Sequence, residues 1–137
     1  MTADQFNSRS LNYLPGHLEL RITHTGVGEA RGEIPIKEIH YAPNGYLHAG
    51  TVVTLADSCS GAGCMANLPE GANGFTTIEL KSNHLSTAKE GVIECVAKAV
   101  HMGRNTQVWD ATVTHRETGK TIALFRCTQM ILYPKKG

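Results

Sequence analysis

Residues 44–57 read Asn-Gly-Tyr-Leu-His-Ala-Gly-Thr-Val-Val-Thr-Leu-Ala-Asp, a glycine-rich turn with a histidine that leads into an apolar run. From Ala49 to about Ala66 this run contains no Lys, Arg or Glu. A helix that is apolar nearly all round is normally buried, so the run predicts a buried helix that ends near Asn67. Asp57 is the exception in this apolar run, because a carboxylate is costly to remove from water unless it is paired. It is either a structural acid satisfied by its neighbours or a functional one.

The chain on both sides of this helix has the two-residue alternation of half-buried strands. Leu18, Leu20 and Ile22, for example, alternate with polar residues. The predicted strands cover residues 17–25, 29–36, 76–85, 91–102, 105–116 and 121–133, and a short helix is predicted over 2–12. Turns are predicted at Pro15-Gly16 and 117–120, and an irregular loop at 37–46. One long apolar helix and five or six long antiparallel strands predict an α+β domain with the helix lying on the sheet.

Length and charge narrow the possible functions. The 137 residues predict one domain, spanning 1–137, and the net charge of +1 comes without any basic block. A broad phosphate-binding surface is therefore disfavoured, and no nucleic-acid partner is expected. There is no uninterrupted apolar run of roughly 18 residues and no secretory pattern at the start, so we expect no membrane span. The predicted location is the cytoplasm.

Cysteine and histidine spacing predicts neither a metal nor another cofactor. The four cysteines, Cys59, Cys64, Cys95 and Cys127, form no Cys-x-x-Cys pair and have no metal-ligand spacing. They predict reduced and mostly buried thiols. The seven histidines likewise form no His-Glu-x-x-His pattern.

His48-Ala49-Gly50 followed by Leu55-Ala56-Asp57 resembles the His-Gly-Gly…Asp signature of hotdog-fold acyl-CoA thioesterases. The likeness is greatest to the branch with the phenylacetate-degradation and 4-hydroxybenzoyl-CoA thioesterases. It runs from about Gly28 to Tyr133 and includes residues 79–85 and 103–104. The resemblance implies a hotdog fold, in which a long central helix packs on a five- to six-stranded antiparallel sheet. It also implies hydrolysis of an acyl-CoA to free acid and CoA by a homo-oligomer, a dimer or a tetramer.

The turn before the helix predicts a site for negative charge. Backbone N–H groups at a helix N-terminus lack partners and carry partial positive charge. Those of Ala49 and Gly50 are candidates for stabilising the oxyanion that develops when a thioester carbonyl is attacked.

The distance along the helix predicts a shared site. Ala49 and Asp57 are eight residues apart, about 12 Å along a helix axis. Attacking group and oxyanion donor must both come within roughly 3 Å of one reacting carbonyl, so one helix cannot readily supply both. We therefore expect a site shared by the subunits of a symmetric dimer, as the resemblance also implies.

The resemblance implies roles for the other candidate residues. Asp57 acts as a nucleophile or as a general base on water, and both roles stay open. His48 positions or polarises the thioester. Thr77 matches a position at which relatives carry a hydroxyl that helps to hold the water. The residues expected at the CoA phosphates are Arg104, Asn105 and Thr106.

The chain departs from the family pattern at three positions. Ala49 stands where relatives usually have Gly, which retains the backbone donor but narrows the accessible φ range. Ala42 stands six residues before His48, where many relatives have Asn or Gln, and Asn44 is the candidate replacement. Gly61 stands four residues after the acid, where some relatives carry a hydroxyl.

Three functions therefore compete. The leading one is acyl-CoA hydrolysis. A second function keeps the fold but changes the carrier or the chemistry, as in an acyl-carrier-protein thioesterase or a hotdog dehydratase. Dehydratases of this fold generally rely on a differently placed Asp/His pair, and the sequence shows no such second site. A third is a non-catalytic hotdog protein that binds acyl-CoA.

Overall fold

One long helix lies across one face of a six-stranded antiparallel sheet in the computed structural model, which describes residues 1–135. The helices are α1 Ala3–Ser10, α2 Leu14–His17 and α3 Ala49–Ala66, with a 3-10 turn at Glu38–His40. The strands are β1 Arg21–Gly26, β2 Glu29–Pro35, β3 Gly74–His84, β4 Val92–Met102, β5 Thr106–His115 and β6 Thr121–Leu132. Their order is β1-β2-β4-β5-β6-β3, so β1 and β3 are the edges. The predicted α+β architecture is confirmed.

The core lies between α3 and the sheet. In β5 every second residue from Gln107 to His115 is buried, as expected of a strand with one covered face. The helix buries its apolar side chains against this face, among them Val52, Leu55, Ala56 and Cys59. The mainly apolar surface of α3 is thereby removed from water, as its composition predicts.

Gly63 lets α3 approach β5 closely. A Cβ atom at position 63 would lie 2.6 Å from the ring of Trp109, which is fully buried. Gly63→Ala is therefore expected to lower the free energy of unfolding by about 1–3 kcal/mol, although alanine favours an isolated helix. Urea unfolding measures the difference. Gly74→Ala is the matched control, since its added Cβ meets no atom within 4 Å. A gain in stability for Gly63→Ala would contradict the tight packing.

The structure corrects the prediction before β1. Residues 17–20, predicted as the start of a strand, instead end helix α2 and lead to β1, which begins only at Arg21. Pro15 lies in the first turn of α2, where its missing N–H is not needed, so the predicted turn is helical. Gly16 is required there because a Cβ would overlap the carbonyl of Ser10.

The other predicted elements agree with the structure to within two residues at each end. Gly119 in the turn between β5 and β6 has a φ of 70°, the left-handed conformation that its glycine predicts. The predicted loop at 37–46 contains the 3-10 turn. Within residues 1–135 no helix is long and apolar enough to cross a membrane.

Candidate active site

His48 caps the N-terminus of α3. Its Nδ1 accepts a hydrogen bond from Gly50 N–H at 2.7 Å, and its backbone is extended, as is normal for an N-cap residue. With Nδ1 as the acceptor, the neutral ring carries its proton on Nε2. His48 is exposed, so the turn offers Nε2–H as a donor to a bound group.

The first backbone donor of α3 has no partner. Gly50 N–H is taken by His48, whereas Ala49 N–H has no acceptor among residues 1–135. Both residues are exposed at the end of the helix that carries partial positive charge. Of the two predicted oxyanion donors, Ala49 N–H is therefore the available one, and Gly50 determines the tautomer of His48.

A buried histidine that the sequence did not single out, His40, holds this turn. Lys37 N–H donates to His40 Nδ1 at 2.8 Å, and His40 Nε2–H donates to Leu18 O at 2.7 Å. The carbonyl of His40 accepts His48 N–H at 2.9 Å and the Thr51 hydroxyl at 3.1 Å. The position of His48 is thus determined by the loop before the helix as well as by the helix itself.

Asp57 lies just over two turns further along α3. Its Oδ1 is buried and has no hydrogen-bond partner among residues 1–135. Burial raises the pKa of this carboxyl above its ordinary value. A structural acid would normally be hydrogen-bonded, so the missing partner favours a functional role.

A cavity of about 370 Å³ opens beside Asp57. Its walls are mainly apolar and include Met65 of α3, Phe75 of β3, Phe6 of α1 and Tyr13, the residue that precedes α2. Gly61, which stands where some relatives carry a hydroxyl, leaves room for the Phe75 ring. A Cβ atom at position 61 would lie 3.0 Å from that ring. No sequence pattern pointed to the N-terminal residues, since only folding brings them to α3.

Within residues 1–135, Asp57 is the only predicted site residue that lines this cavity; the turn at His48, Ala49 and Gly50 lies outside it, as do Thr77 and Asn44. Thr77, on the exposed strand β3, donates its hydroxyl to Gln129 Oε1 at 2.7 Å. Asn44 is exposed, and its Oδ1 accepts Tyr46 N–H at 3.1 Å, so its side chain stabilises the turn before His48. The structure therefore groups Asn44 with the start of α3, where its side chain forms part of the turn.

The residues predicted at the CoA phosphates form the turn between β4 and β5. Thr106 O accepts Gly103 N–H at 2.9 Å, and Asn105 O accepts Ile131 N–H at 2.9 Å. These bonds use backbone atoms, and the side chain of Arg104 is exposed. None of the three predicted residues lines the cavity beside Asp57.

The cysteines are poor candidates for the attacking group. All four are buried and free. Burial raises the pKa of Cys64 to about 12 and that of Cys127 to about 11, and it raises the pKa of Cys59 as well. Such thiols stay protonated at neutral pH. Among residues 1–135 there is also no group of three or more His, Cys, Asp or Glu side chains that could hold a metal ion.

The direction of the Asp57 pKa shift gives a testable pH dependence. To attack a thioester or to activate water, Asp57 must be ionised, and burial moves its ionisation above the ordinary aspartate pKa of 3.8. Activity is therefore expected to fall as the pH drops through this raised pKa. The acidic limb of the kcat/KM profile measures it; a limb at or below the ordinary value would contradict the assignment.

The long apolar helix packed on six antiparallel strands has the architecture of the hotdog fold. Residues 44–122 match the family model of the Thioesterase superfamily, and the chain belongs to that family. It is 31% identical over 117 residues to the 1,4-dihydroxy-2-naphthoyl-CoA hydrolase of Listeria monocytogenes serotype 1/2a (strain 10403S), with 85% of this chain and 94% of that protein covered.

Two further comparisons span nearly the whole chain. The 1,4-dihydroxy-2-naphthoyl-CoA hydrolase of Escherichia coli (strain K12) is 31% identical over 133 residues, which are 96% of each protein. A crystal structure of a mutant of thioesterase PA1618 from Pseudomonas aeruginosa superimposes with a TM-score of 0.89 at 26% identity, covering 96% of this chain and 94% of that one. The predicted family, hotdog fold and enzyme class are confirmed.

Proposed function

We propose that this thioester hydrolase cleaves an acyl-CoA to free acid and CoA, at sites that two copies of the chain build together. One copy supplies Asp57, and the other supplies Ala49 N–H and the Nε2–H of His48. The observation that supports this most directly is a buried carboxylate oxygen of Asp57 that has no hydrogen-bond partner within residues 1–135 and lies in the wall of a mainly apolar cavity. The names of the relatives that hydrolyse 1,4-dihydroxy-2-naphthoyl-CoA support CoA as the carrier.

Separation along α3 supports the shared site. Ala49 is the first residue of α3, and Asp57 lies about 12 Å further along the axis of the same helix. A carbonyl that accepts from Ala49 N–H is therefore out of reach of Asp57 in the same copy. The acid of a second copy, related by a two-fold axis, completes each site.

Strand β3 is the sheet edge through which two copies can pair. It has 11 residues, and residues 76–81 along it are exposed, including the apolar Ile78 and Leu80. A long exposed edge with apolar side chains favours pairing with another strand. The other edge is partly covered, because the side chain of Asn7 bonds to both Ile22 N–H and Ile22 O at 2.8 Å. Two β3 strands paired about a two-fold axis would form an isologous dimer.

In the proposed reaction the thioester carbonyl oxygen accepts from Ala49 N–H and the Nε2–H of His48, which stabilise its developing negative charge. Asp57 of the other copy attacks the carbonyl carbon or removes a proton from the water that does so. Collapse of the oxyanion then expels CoA as its thiolate. Thr77 would help to hold the water. The CoA phosphates would meet Arg104, Asn105 and Thr106.

The two roles of Asp57 differ in one intermediate. Direct attack forms a mixed anhydride between the acyl group and Asp57, which water then hydrolyses to the free acid and the Asp57 carboxylate, whereas general-base catalysis forms none. Mass spectrometry of the enzyme, quenched in acid during a single turnover, detects the acyl group on the peptide that contains Asp57. Its presence assigns the nucleophilic role.

A thiol-release assay over aryl, short-chain and long-chain acyl-CoAs tests the proposed function. We expect the enzyme to release CoA from at least one of these classes of acyl-CoA. It should hydrolyse the matched acyl-carrier-protein thioester more slowly. Faster turnover of the carrier-protein thioester would identify a different carrier. Tight binding without turnover would identify a non-catalytic acyl-CoA-binding protein.

A further inference from the structure

The N-terminal arm, defined as residues 3–17 with α1 and α2, is fastened to the edge of the sheet by one side chain. Asn7 Nδ2 donates to Ile22 O at 2.8 Å, and Asn7 Oδ1 accepts Ile22 N–H at 2.8 Å. A neighbouring antiparallel strand would make the same pair of bonds to one residue of β1. Thr2 and Gln5 form a capping box that begins α1. The arm is therefore a fixed part of the fold.

This arm forms one wall of the cavity beside Asp57. The arm lines the cavity with the aromatic Phe6 and Tyr13 and with the polar Arg9 and Ser10. Phe75 lines it from β3, so three aromatic residues border the space. Phe6 also packs against the core, whereas the side chain of Tyr13 is largely exposed. The proposed mechanism uses Asp57 and leaves the rest of this cavity without a role.

We propose that the N-terminal arm selects the acyl group of the substrate, with Phe6 and Tyr13 as specificity-determining residues and Asn7 as the positioning residue that holds them. The inference rests on the proposed function, since it takes Asp57 as the group that meets the thioester carbonyl. The carbonyl then lies at the Asp57 wall, and the remainder of the acyl group extends beneath the arm.

The size and chemistry of the cavity define the class of acyl group. Its volume of about 370 Å³ is at the small end for ligand sites. The aromatic border favours a compact, flat group that can make offset or edge-to-face ring contacts. A long straight chain makes no such ring contacts and loses more rotamer freedom when it is bound. The enzyme should therefore prefer benzoyl-CoA to decanoyl-CoA.

Shortening the aromatic side chains tests this selection. Tyr13→Ala is expected to lower the ratio of kcat/KM for benzoyl-CoA to that for decanoyl-CoA by about tenfold, because a ring contact is lost and the cavity opens. Phe6→Leu, which keeps apolar volume against the core, should lower the same ratio in a smaller step. A ratio within about twofold of wild type in both variants would overturn the inference.

Changing Asn7 tests the positioning role. Asn7→Asp keeps the acceptor for Ile22 N–H but turns a carboxylate oxygen toward Ile22 O, which loosens the arm. The substrate ratio should fall at neutral pH and recover at acidic pH, where the protonated acid donates again. Asn12→Asp makes the same change on an exposed residue of the arm and should keep the wild-type ratio at each pH. If Asn7→Asp lowers kcat/KM equally for benzoyl-CoA and decanoyl-CoA, Asn7 has only a structural role.

Binding of S-benzyl-CoA, a thioether that cannot be hydrolysed, separates this inference from the proposed function. If the wild type binds it about tenfold more tightly than Tyr13→Ala but hydrolyses no acyl-CoA, the proposed function fails, and the arm is left as a binding site for the aromatic group alone. If the wild type hydrolyses benzoyl-CoA while all variants bind the thioether equally, the inference fails and the function stands. Absence of binding to the wild type also overturns the inference.

Discussion

Asp57→Asn is expected to lower kcat for acyl-CoA hydrolysis by about 10²–10⁴-fold, because asparagine neither attacks a thioester nor accepts a proton from water. The substitution keeps the shape of the side chain in the cavity wall. Thiol release at saturating substrate measures kcat directly. A value near that of the wild type would remove the acid from the mechanism.

Asp110→Asn is the matched control for this substitution. Asp110 is an outward-facing residue of β5, and both of its carboxylate oxygens accept from Arg126, at 2.5 and 2.8 Å. The hydrogen bond from Arg126 lowers the pKa of Asp110, the opposite of the shift at Asp57. Loss of one exposed ion pair should change kcat by no more than about twofold.

Thermal unfolding of Asp57→Asn shows whether lost activity reflects chemistry or folding. Folding raises the pKa of Asp57, so the neutral carboxyl favours the folded state below the unfolded pKa. That contribution is lost as the pH rises through the folded pKa, because the ionised group is then buried. Asparagine avoids this cost at neutral pH. The variant should therefore be at least as stable as the wild type there.

Mixed dimers of Asp57→Ala and Gly50→Val chains are expected to recover about a quarter of the wild-type activity after random exchange. Asp57→Ala keeps an intact helix N-terminus, and Gly50→Val keeps an intact acid. The valine disrupts the turn because a Cβ at position 50 would lie 2.9 Å from His48 Nδ1. Random exchange makes about half of the dimers mixed, and each mixed dimer has one complete site out of two.

Co-expression of the two variants with different affinity tags provides the measurement. Each variant alone should be inactive, which serves as the control for contamination and partial activity. Dimers purified through both tags should reach about half of the wild-type activity. If these doubly tagged dimers stay inactive, each site lies within one chain and the shared site must be abandoned.

Local composition was sufficient to predict the main elements. The absence of Lys, Arg and Glu between Ala49 and Ala66 predicted α3 and its burial, because only a covered helix can be apolar on nearly all sides. Alternation predicted the long strands β4 to β6 for a similar reason, since one face of each is at least partly covered. The same alternation misled at residues 17–20, where Pro15 begins a helical turn that the period of two does not encode.

The candidate site likewise has some features that the sequence predicted and others that it did not. Asp57 and the turn at His48 were visible as an acid in an apolar run and a glycine-rich helix start. The tautomer of His48 was not, because it depends on one hydrogen bond with Gly50 N–H. Nor was the contribution of Tyr13, which lines the same cavity as Asp57 only after the N-terminal arm has folded back.

By itself, then, the sequence determined a buried helix with one acid in it, a cluster of donors at its start and an antiparallel sheet to cover it. These features follow from side-chain patterns within short stretches. The tertiary structure alone decided that Asn7 would cover one sheet edge at Ile22, that β3 would leave the other edge open, and that a cavity would form at Asp57. Such contacts join residues far apart in the chain, and their formation depends on how whole elements pack.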